Sequence, residues 1–411
     1  MKWSSFGRVV MALTSAVALG LSMTACGGGT IAYIWAVGHQ VNGDGSQYND
    51  VVGYQVDDFT GNLTSVPNQP YAANGTNPVD IVVRPGGGRF VYVINQGSGY
   101  TSTSNGTGDG IAVFAVGGSG SLTFEQSYET QGFGHLWATF DSTGTYLYVL
   151  DQYSPSGDGN GAITTFSSDP TTGRLNLVLQ TASTQPGQLA PQYLEVGKSP
   201  LRMFSSGNCL FTANTANQTI TTYSIASGQL GTVTTGTFPP GTTHMTSING
   251  NGQYVFLTDD LGGGQPGYIY SYTVGSGCAL TTFSGGKTAN DPSVVNPTNT
   301  LISASGKYLY VLNGSSTNTS TVSRGSSITG YNLTTGTLTE LAESPFGSGS
   351  GPVCAVEDPT SKYLYVANNT DGTITGYQYS DTSGEISGLQ RGSTFTTATK
   401  GLTCLALSGS V

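Results

Sequence analysis

A short strand of aromatic and apolar residues recurs seven times along this chain, followed by a polar loop, a second strand and a Gly-centred turn. The clearest copies are Lys307-Tyr-Leu-Tyr-Val-Leu-Asn313 and Lys362-Tyr-Leu-Tyr-Val-Ala-Asn368, leading to Ser327-Ile-Thr-Gly-Tyr-Asn332 and Thr373-Ile-Thr-Gly-Tyr-Gln378. The first strand also reads Phe90-Val-Tyr-Val-Ile-Asn95, Tyr146-Leu-Tyr-Val-Leu-Asp151, Cys209-Leu-Phe-Thr-Ala-Asn214 and Tyr254-Val-Phe-Leu-Thr-Asp259, with a degenerate copy at Ala32-Tyr-Ile-Trp-Ala-Val37. Copies lie roughly 45–63 residues apart, a period that fits a four-stranded blade and not a helical solenoid. Such a unit buries its faces only against its neighbours, so seven copies imply one closed body rather than several domains.

Between the copies run segments such as Asn77-Pro-Val-Asp-Ile-Val-Val-Arg-Pro85, Gly134-His-Leu-Trp-Ala-Thr-Phe-Asp141 and Gly351-Pro-Val-Cys-Ala-Val-Glu357. Read as innermost strands, they give an all-β, seven-bladed β-propeller over residues 31–411 with four antiparallel strands per blade. The last such segment, Gly401–Leu407, follows the last full repeat. It should therefore begin the blade that Ala32–Val37 continues, closing the ring with both ends of the chain. Thr60-Gly-Asn-Leu63, Thr172-Gly-Arg-Leu175, Ser227-Gly-Gln-Leu230 and Thr335-Gly-Thr-Leu338 each place Gly where a tight turn requires positive φ. Polar insertions at His39–Asn49, Gly97–Gly110, Gln152–Gly161 and Gly314–Gly325 should gather as loops on one face of the disc.

Charged residues make up only 9% of the chain and the net charge is −10. That balance excludes nucleic acid as a partner, since no basic patch is available to neutralise phosphates. Lys2 and Arg8 precede an apolar run from Val9 to Met23, too short for a comfortable membrane span but suited to an export leader over residues 1–25. The run ends Ser22-Met-Thr-Ala-Cys26, followed by Gly27-Gly-Gly-Thr30, and resembles a bacterial lipobox with a flexible tether over 26–30. The resemblance implies acylation of Cys26, a membrane partner through that anchor, and a place at the cell envelope; an ordinary leader with an incidental Cys is the alternative.

Four cysteines remain in what would be an oxidising compartment. Cys354 and Cys404 occupy the same place in consecutive repeats, so a bridge between neighbouring innermost strands is expected, leaving Cys209 and Cys278 as the other pair. Three pairings are open, and four buried free thiols is the other reading.

The repeat unit resembles the YVTN-type propellers and the wider lactonase-like group, similar to propeller-type 6-phosphogluconolactonase and to fungal muconate cycloisomerase. The resemblance implies a polar set in the axial channel, matched here by His135, Asp141 and Asp151 and by the Arg of Ser199-Pro-Leu-Arg202. Met203 stands where that set has a second His, Asn214-Thr215 where it has a Glu, and Asp259-Asp260 where it has an Arg.

His135 and His244 both open innermost segments, and with Arg202 they form the candidate catalytic set: a His as general base and the Arg as oxyanion partner. Spacing reveals no carboxylate partner for either His. With half the channel set missing, the sequence favours a binding or scaffold module with protein or glycan on its loop face; a hydrolase of a small sugar lactone is the alternative. Gly-Asp-Gly fragments at Asn42–Ser46, Thr107–Gly110 and Ser156–Asn160 lack the alternating acids and closing Glu of a calcium loop and read as turns. Asp259-Asp260 reads as a solvated turn. Three His and four dispersed Cys have no zinc spacing, Gly262-Gly-Gly264 opens no helix, and no cofactor or metal is expected.

The leader generates one prediction. Wild-type protein expressed in a bacterium should partition into detergent, and Cys26→Ala should move it to the aqueous phase, because two or more acyl chains anchor stably. Wild-type protein recovered wholly in the aqueous phase would refute acylation.

Overall fold

The computed structural model describes residues 29–43, 47–181, 191–239, 241–315, 325–334 and 336–409. The expected leader over residues 1–25, Cys26 and much of the Gly314–Gly325 loop lie outside the described residues.

Seven antiparallel sheets stand around an axis. Blades 2 to 7 begin with innermost strands Pro78–Val83, Phe133–Phe140, Pro200–Ser206, Met245–Gly250, Pro297–Ile302 and Pro352–Glu357. Each meanders outward through three further strands, and in several blades the outer edge is divided between two short segments. Blade 1 joins the chain ends. Leu402–Gly409 pairs with Thr30–Val41 in the register Ala36↔Leu405 and Trp35↔Ala406, and the next strand outward is Gln47–Asp57. Innermost strands pack successively from blade to blade, and Leu402–Gly409 touches both Pro352–Glu357 and Pro78–Val83.

The repeat's aromatic-x-aromatic pattern has a definite task. Both aromatics point to one side of the strand and grip the turn between the third and fourth strands of the following blade. Tyr365 of blade 7 donates its hydroxyl to the Gly61 carbonyl of blade 1 at 2.6 Å, Tyr310 donates to Gly384, and Tyr92 donates to Gly173. In the degenerate copy, Trp35 Nε1 does the same to Gly120. The first aromatic covers the turn itself. A Cβ on Gly61 would lie 2.4 Å from the Tyr363 ring, and one on Gly384 would lie 2.3 Å from Tyr308, so both φ (70° and 76°) and space require Gly.

Between blades 4 and 5 a covalent bond replaces this grip. Cys209 holds the first-aromatic position, Cys278 sits in the matching turn at φ 67°, and the two are bridged with Cα atoms 5.6 Å apart. Cys354 and Cys404 form the second bridge, between neighbouring innermost strands, with Cα atoms 5.1 Å apart. Both pairings are those expected, Cys354–Cys404 from repeat position and Cys209–Cys278 by elimination and adjacency of blades.

Each innermost strand carries a bulge near its start, as at Pro78/Asp80, Pro200/Arg202, Pro297/Asn299 and Pro352/Cys354. The bulged residue reaches the next blade: Thr298 Oγ1 donates to the Pro352 carbonyl and Thr403 Oγ1 to that of Pro78. Beyond the bulge lies a ring of equivalent positions, Asp80, Trp137, Arg202, Ser247, Asn299, Cys354 and Cys404.

Two loops differ from the sequence reading. His39–Asn49 is largely a continued hairpin, with His39 paired to Asn49 and Val41 to Gln47, and Gln152–Tyr153 extends its strand in the same way. Regular pairing satisfies the backbone there better than an open loop would. Gly97–Gly110 is a true excursion, folded on itself by bridges Ser98↔Thr107 and Thr101↔Ser104.

Converting Cys354 and Cys404 together to Ser should lower unfolding free energy by about 4 kcal/mol at most, the chain-entropy value for a loop spanning a separation of 50 residues. Urea unfolding measures it. Peptide mapping without reductant should recover both residues joined, and two free thiols would refute the bridge.

Candidate functional site

The last residue of the repeat motif pairs with the residue just before the bulge of the innermost strand, and this register decides what each His can do. In blade 2 the pair is Pro78↔Asn95, in blade 6 Pro297↔Asn313, and in blade 3 it is His135↔Asp151. His135 therefore stands where other blades place a buried Pro, and it is 0% exposed. In blade 5 the paired residue is Met245, opposite Asp259, and His244 precedes it by one position. A shift of one residue turns a strand side chain to the opposite face, and the His244 side chain is 62% exposed. The two histidines are thus not equivalent, although both open innermost segments.

Both have carboxylate partners, contrary to the reading from spacing. His135 Nδ1 lies 2.7 Å from Asp151 Oδ1. Thr130 Oγ1 donates to the same oxygen at 3.0 Å, and Gly132 N donates to Asp151 Oδ2 at 3.2 Å. Burial alone would lower the basicity of His135, but Asp151, with Asp109 and Glu129 behind it, raises it above the ordinary value. His244 Nδ1 lies 2.7 Å from Asp260 Oδ1, which also accepts from Gly262 N. Hairpin register was the signal: each partner is the residue that pairing brings opposite or alongside.

Asp259-Asp260 is not the solvated turn expected. Asp259 is fully buried and accepts from the backbone N–H groups of Thr243, His244 and Leu261, fixing the segment that carries His244. Asp141 closes the opposite end of the blade-3 hairpin, accepting from Tyr146 N and Thr143 Oγ1, so it does not join His135.

Arg202 lies with its guanidinium 4.4 Å from the centre of the Trp137 ring. Burial lowers its pKa to about 10, against the attraction of Asp80, so it stays charged at neutral pH. Asp80 accepts from Ile81 N at 2.9 Å and from Ala138 N at 2.8 Å, tying blade 2 to blade 3. Burial still raises its pKa to about 7, against those hydrogen bonds and Arg202.

The three candidate catalytic residues occupy different surroundings. His135 is sealed between blades, Arg202 stacks on Trp137, and His244 opens into a cavity of about 460 Å³ at blades 4 to 6. Leu201, Gln218, Phe238, Thr246, Asp260 and Asn296 contribute to its wall, and among the described residues no Lys or Arg lines it. A separate group escaped the sequence reading. One ligand atom each from Asp109, Glu129 and His135 lie within 4.8 Å of one another. Their positions come from a loop, a strand end and a strand start, a combination no linear spacing reveals.

Fold and geometry define a seven-bladed propeller with carboxylate-backed histidines where the innermost strands begin. The chain belongs to the family described as Lactonase, 7-bladed beta-propeller, whose model matches residues 45–187 and 326–406. It is similar in fold to the periplasmic gluconolactonase of Pseudomonas aeruginosa, at 16% identity and a TM-score of 0.63 over 92% of this chain and 99% of that one. A Lactobacillus plantarum protein gives 17% identity and a TM-score of 0.67, with 92% and 99% of the two chains covered. A Bacteroides fragilis protein provisionally named as a 6-phosphogluconolactonase gives 17% and 0.65, covering 92% and 98%. At these identities the likeness is one of fold. No curated protein matches the chain in sequence.

Asp80 generates a pH prediction. Its folded pKa of about 7 lies above the unfolded value near 4, so the folded state binds more protons in that interval. Its contribution to stability is fully present below about pH 4 and is lost as pH rises through about 7. Wild-type stability relative to Asp80→Asn should therefore fall between pH 4 and 8, as measured by urea unfolding. A constant difference would refute the assignment.

Proposed function

We propose that the chain is a lactone hydrolase acting on a small neutral sugar lactone in the cavity beside His244. The observation that carries this reading is the His244–Asp260 pair at 2.7 Å, opening into a space of about 460 Å³ in a lactonase-family propeller. Expectation of a binding module rested on the missing half of the channel set and on histidines without carboxylate partners; the second of these premises is gone.

In this reading Asp260 holds His244 with Nδ1–H directed at the carboxylate, leaving the Nε2 lone pair for a water molecule. Proton transfer to Nε2 accompanies attack of the water oxygen on the lactone carbonyl. The ring C–O bond then breaks, and the imidazolium returns its proton to the departing alkoxide, giving the open hydroxy acid. The three backbone donors to Asp259 and the Gly262 donor to Asp260 hold the pair in place.

Charge argues for a neutral substrate. Asp260 forms part of a wall without Lys or Arg among the described residues, and the net charge is −10. A phosphorylated lactone would meet repulsion there instead of a clamp. An exported site of action, anchored through Cys26, fits two disulfides and the leader.

The test is ring opening of glucono-δ-lactone by a pH-indicator assay under buffered conditions with spontaneous hydrolysis subtracted. His244→Ala should reduce kcat/KM by about 100-fold or more, Asp260→Asn should also reduce it, and the 6-phosphorylated lactone should be the poorer substrate. Turnover at background, or turnover that survives His244→Ala, would overturn the proposal.

A further inference from the structure

The structure assigns a second site to the junction of blades 2 and 3: Asp109, Glu129 and His135 bind a divalent transition-metal ion of the zinc type. A loop end, a strand end and a strand start deliver the ligands. Ile111 pairs with Tyr128, which brings Asp109 and Glu129 together at the open end of one hairpin. His135 enters from the start of the blade-3 innermost strand, and one ligand atom from each residue falls within 4.8 Å of the others.

Proximity of acids alone would carry little, but the imidazole points independently to a ligand. Asp151 engages Nδ1 at 2.7 Å, so Nε2 is the nitrogen left for an ion. That atom is buried and meets no hydrogen-bond partner among the described residues; neither does Asp109 Oδ2, also buried. A carboxylate behind Nδ1 is the support that metal-binding imidazoles ordinarily have, because it fixes the tautomer and strengthens the donor. Thr130 and Gly132 in turn hold that carboxylate. Asp151 thus acts as a positioning residue for this site.

One nitrogen and two carboxylate oxygens form a three-ligand set suited to zinc, with a fourth position open to water. Tetrahedral ligation would draw the ligand atoms to separations of roughly 3.4 Å. Glu129 is exposed and Asp109 lies on the Gly97–Gly110 excursion, so both have room to close on a fixed His135. The ion would offset two neighbouring carboxylates and pin the blade-2 excursion to blade 3. This site is independent of the His244 cavity.

The experiment uses the folded chain, stripped with chelator and titrated with Zn²⁺ by calorimetry while thermal unfolding is followed. Wild type and His244→Ala should each take up one ion at this site and show a raised unfolding midpoint. Glu129→Gln, at an exposed position, and Asp109→Asn, at a partly exposed one, should weaken uptake at least tenfold and abolish the shift. His135→Gln should do the same, and the two carboxylate variants keep the test decisive if that buried change impairs folding. No uptake by wild type, or unchanged affinity in Asp109→Asn and Glu129→Gln, would overturn the assignment. Calcium bound equally well with His135→Gln in place would overturn the choice of ion.

Discussion

Four of the seven blade junctions depend on the grip of one strand's Tyr or Trp on the next blade's turn. A four-stranded sheet of this size has two apolar faces and cannot stand alone in water. Stacking supplies the burial, but apolar contact has no direction and would tolerate slippage. The Tyr hydroxyl to Gly carbonyl bond supplies the direction. Tyr365 on Gly61 and Tyr310 on Gly384 fix the height and rotation of one blade on another, and a positive-φ Gly lets the ring approach. Where Cys209 and Cys278 stand in for the aromatic and the Gly, the same two points are joined by sulfur.

The innermost strands inherit their placement from this outer register. Because the blades cannot slide, bulged residues meet the opening residue of the next strand, as Thr298 meets Pro352. Asp80 can then reach Ala138 N, and Cys354 can reach Cys404. Carboxylates are few in this chain, and several of the buried ones serve as backbone acceptors. Asp80, Asp141 and Asp259 all hold N–H groups, which explains how a protein with so little charge keeps buried acids.

The fold was readable from the sequence because its determinants repeat. Strand, turn and aromatic positions occur seven times, so even the Trp35 copy is recognisable by place, and the cysteine pairs follow from the same frame. The site was less readable because it depends on where copies differ by one residue. His135 and His244 look alike in a list of strand openings, yet pairing puts one opposite Asp151 in the interior and the other beside Asp260 in the open. Asp109 was hidden for another reason. Its Gly-Asp-Gly setting is that of an ordinary turn, and only the Ile111–Tyr128 register brings Glu129 to it.

The aromatic-to-turn grip also runs in one sense around the ring: each blade that makes it offers its aromatics forward to the turn of the next. Any unit that contains both halves is therefore compatible with any other such unit on either side. A copied unit inserted between two existing ones would meet matching surfaces without further change, and removal of one would leave matching surfaces behind. What opposes such growth or loss is the curvature of the central channel, whose seven bulged strands fit one radius. Recognition between neighbours is thus generic in this architecture, and the number of members is set at the axis.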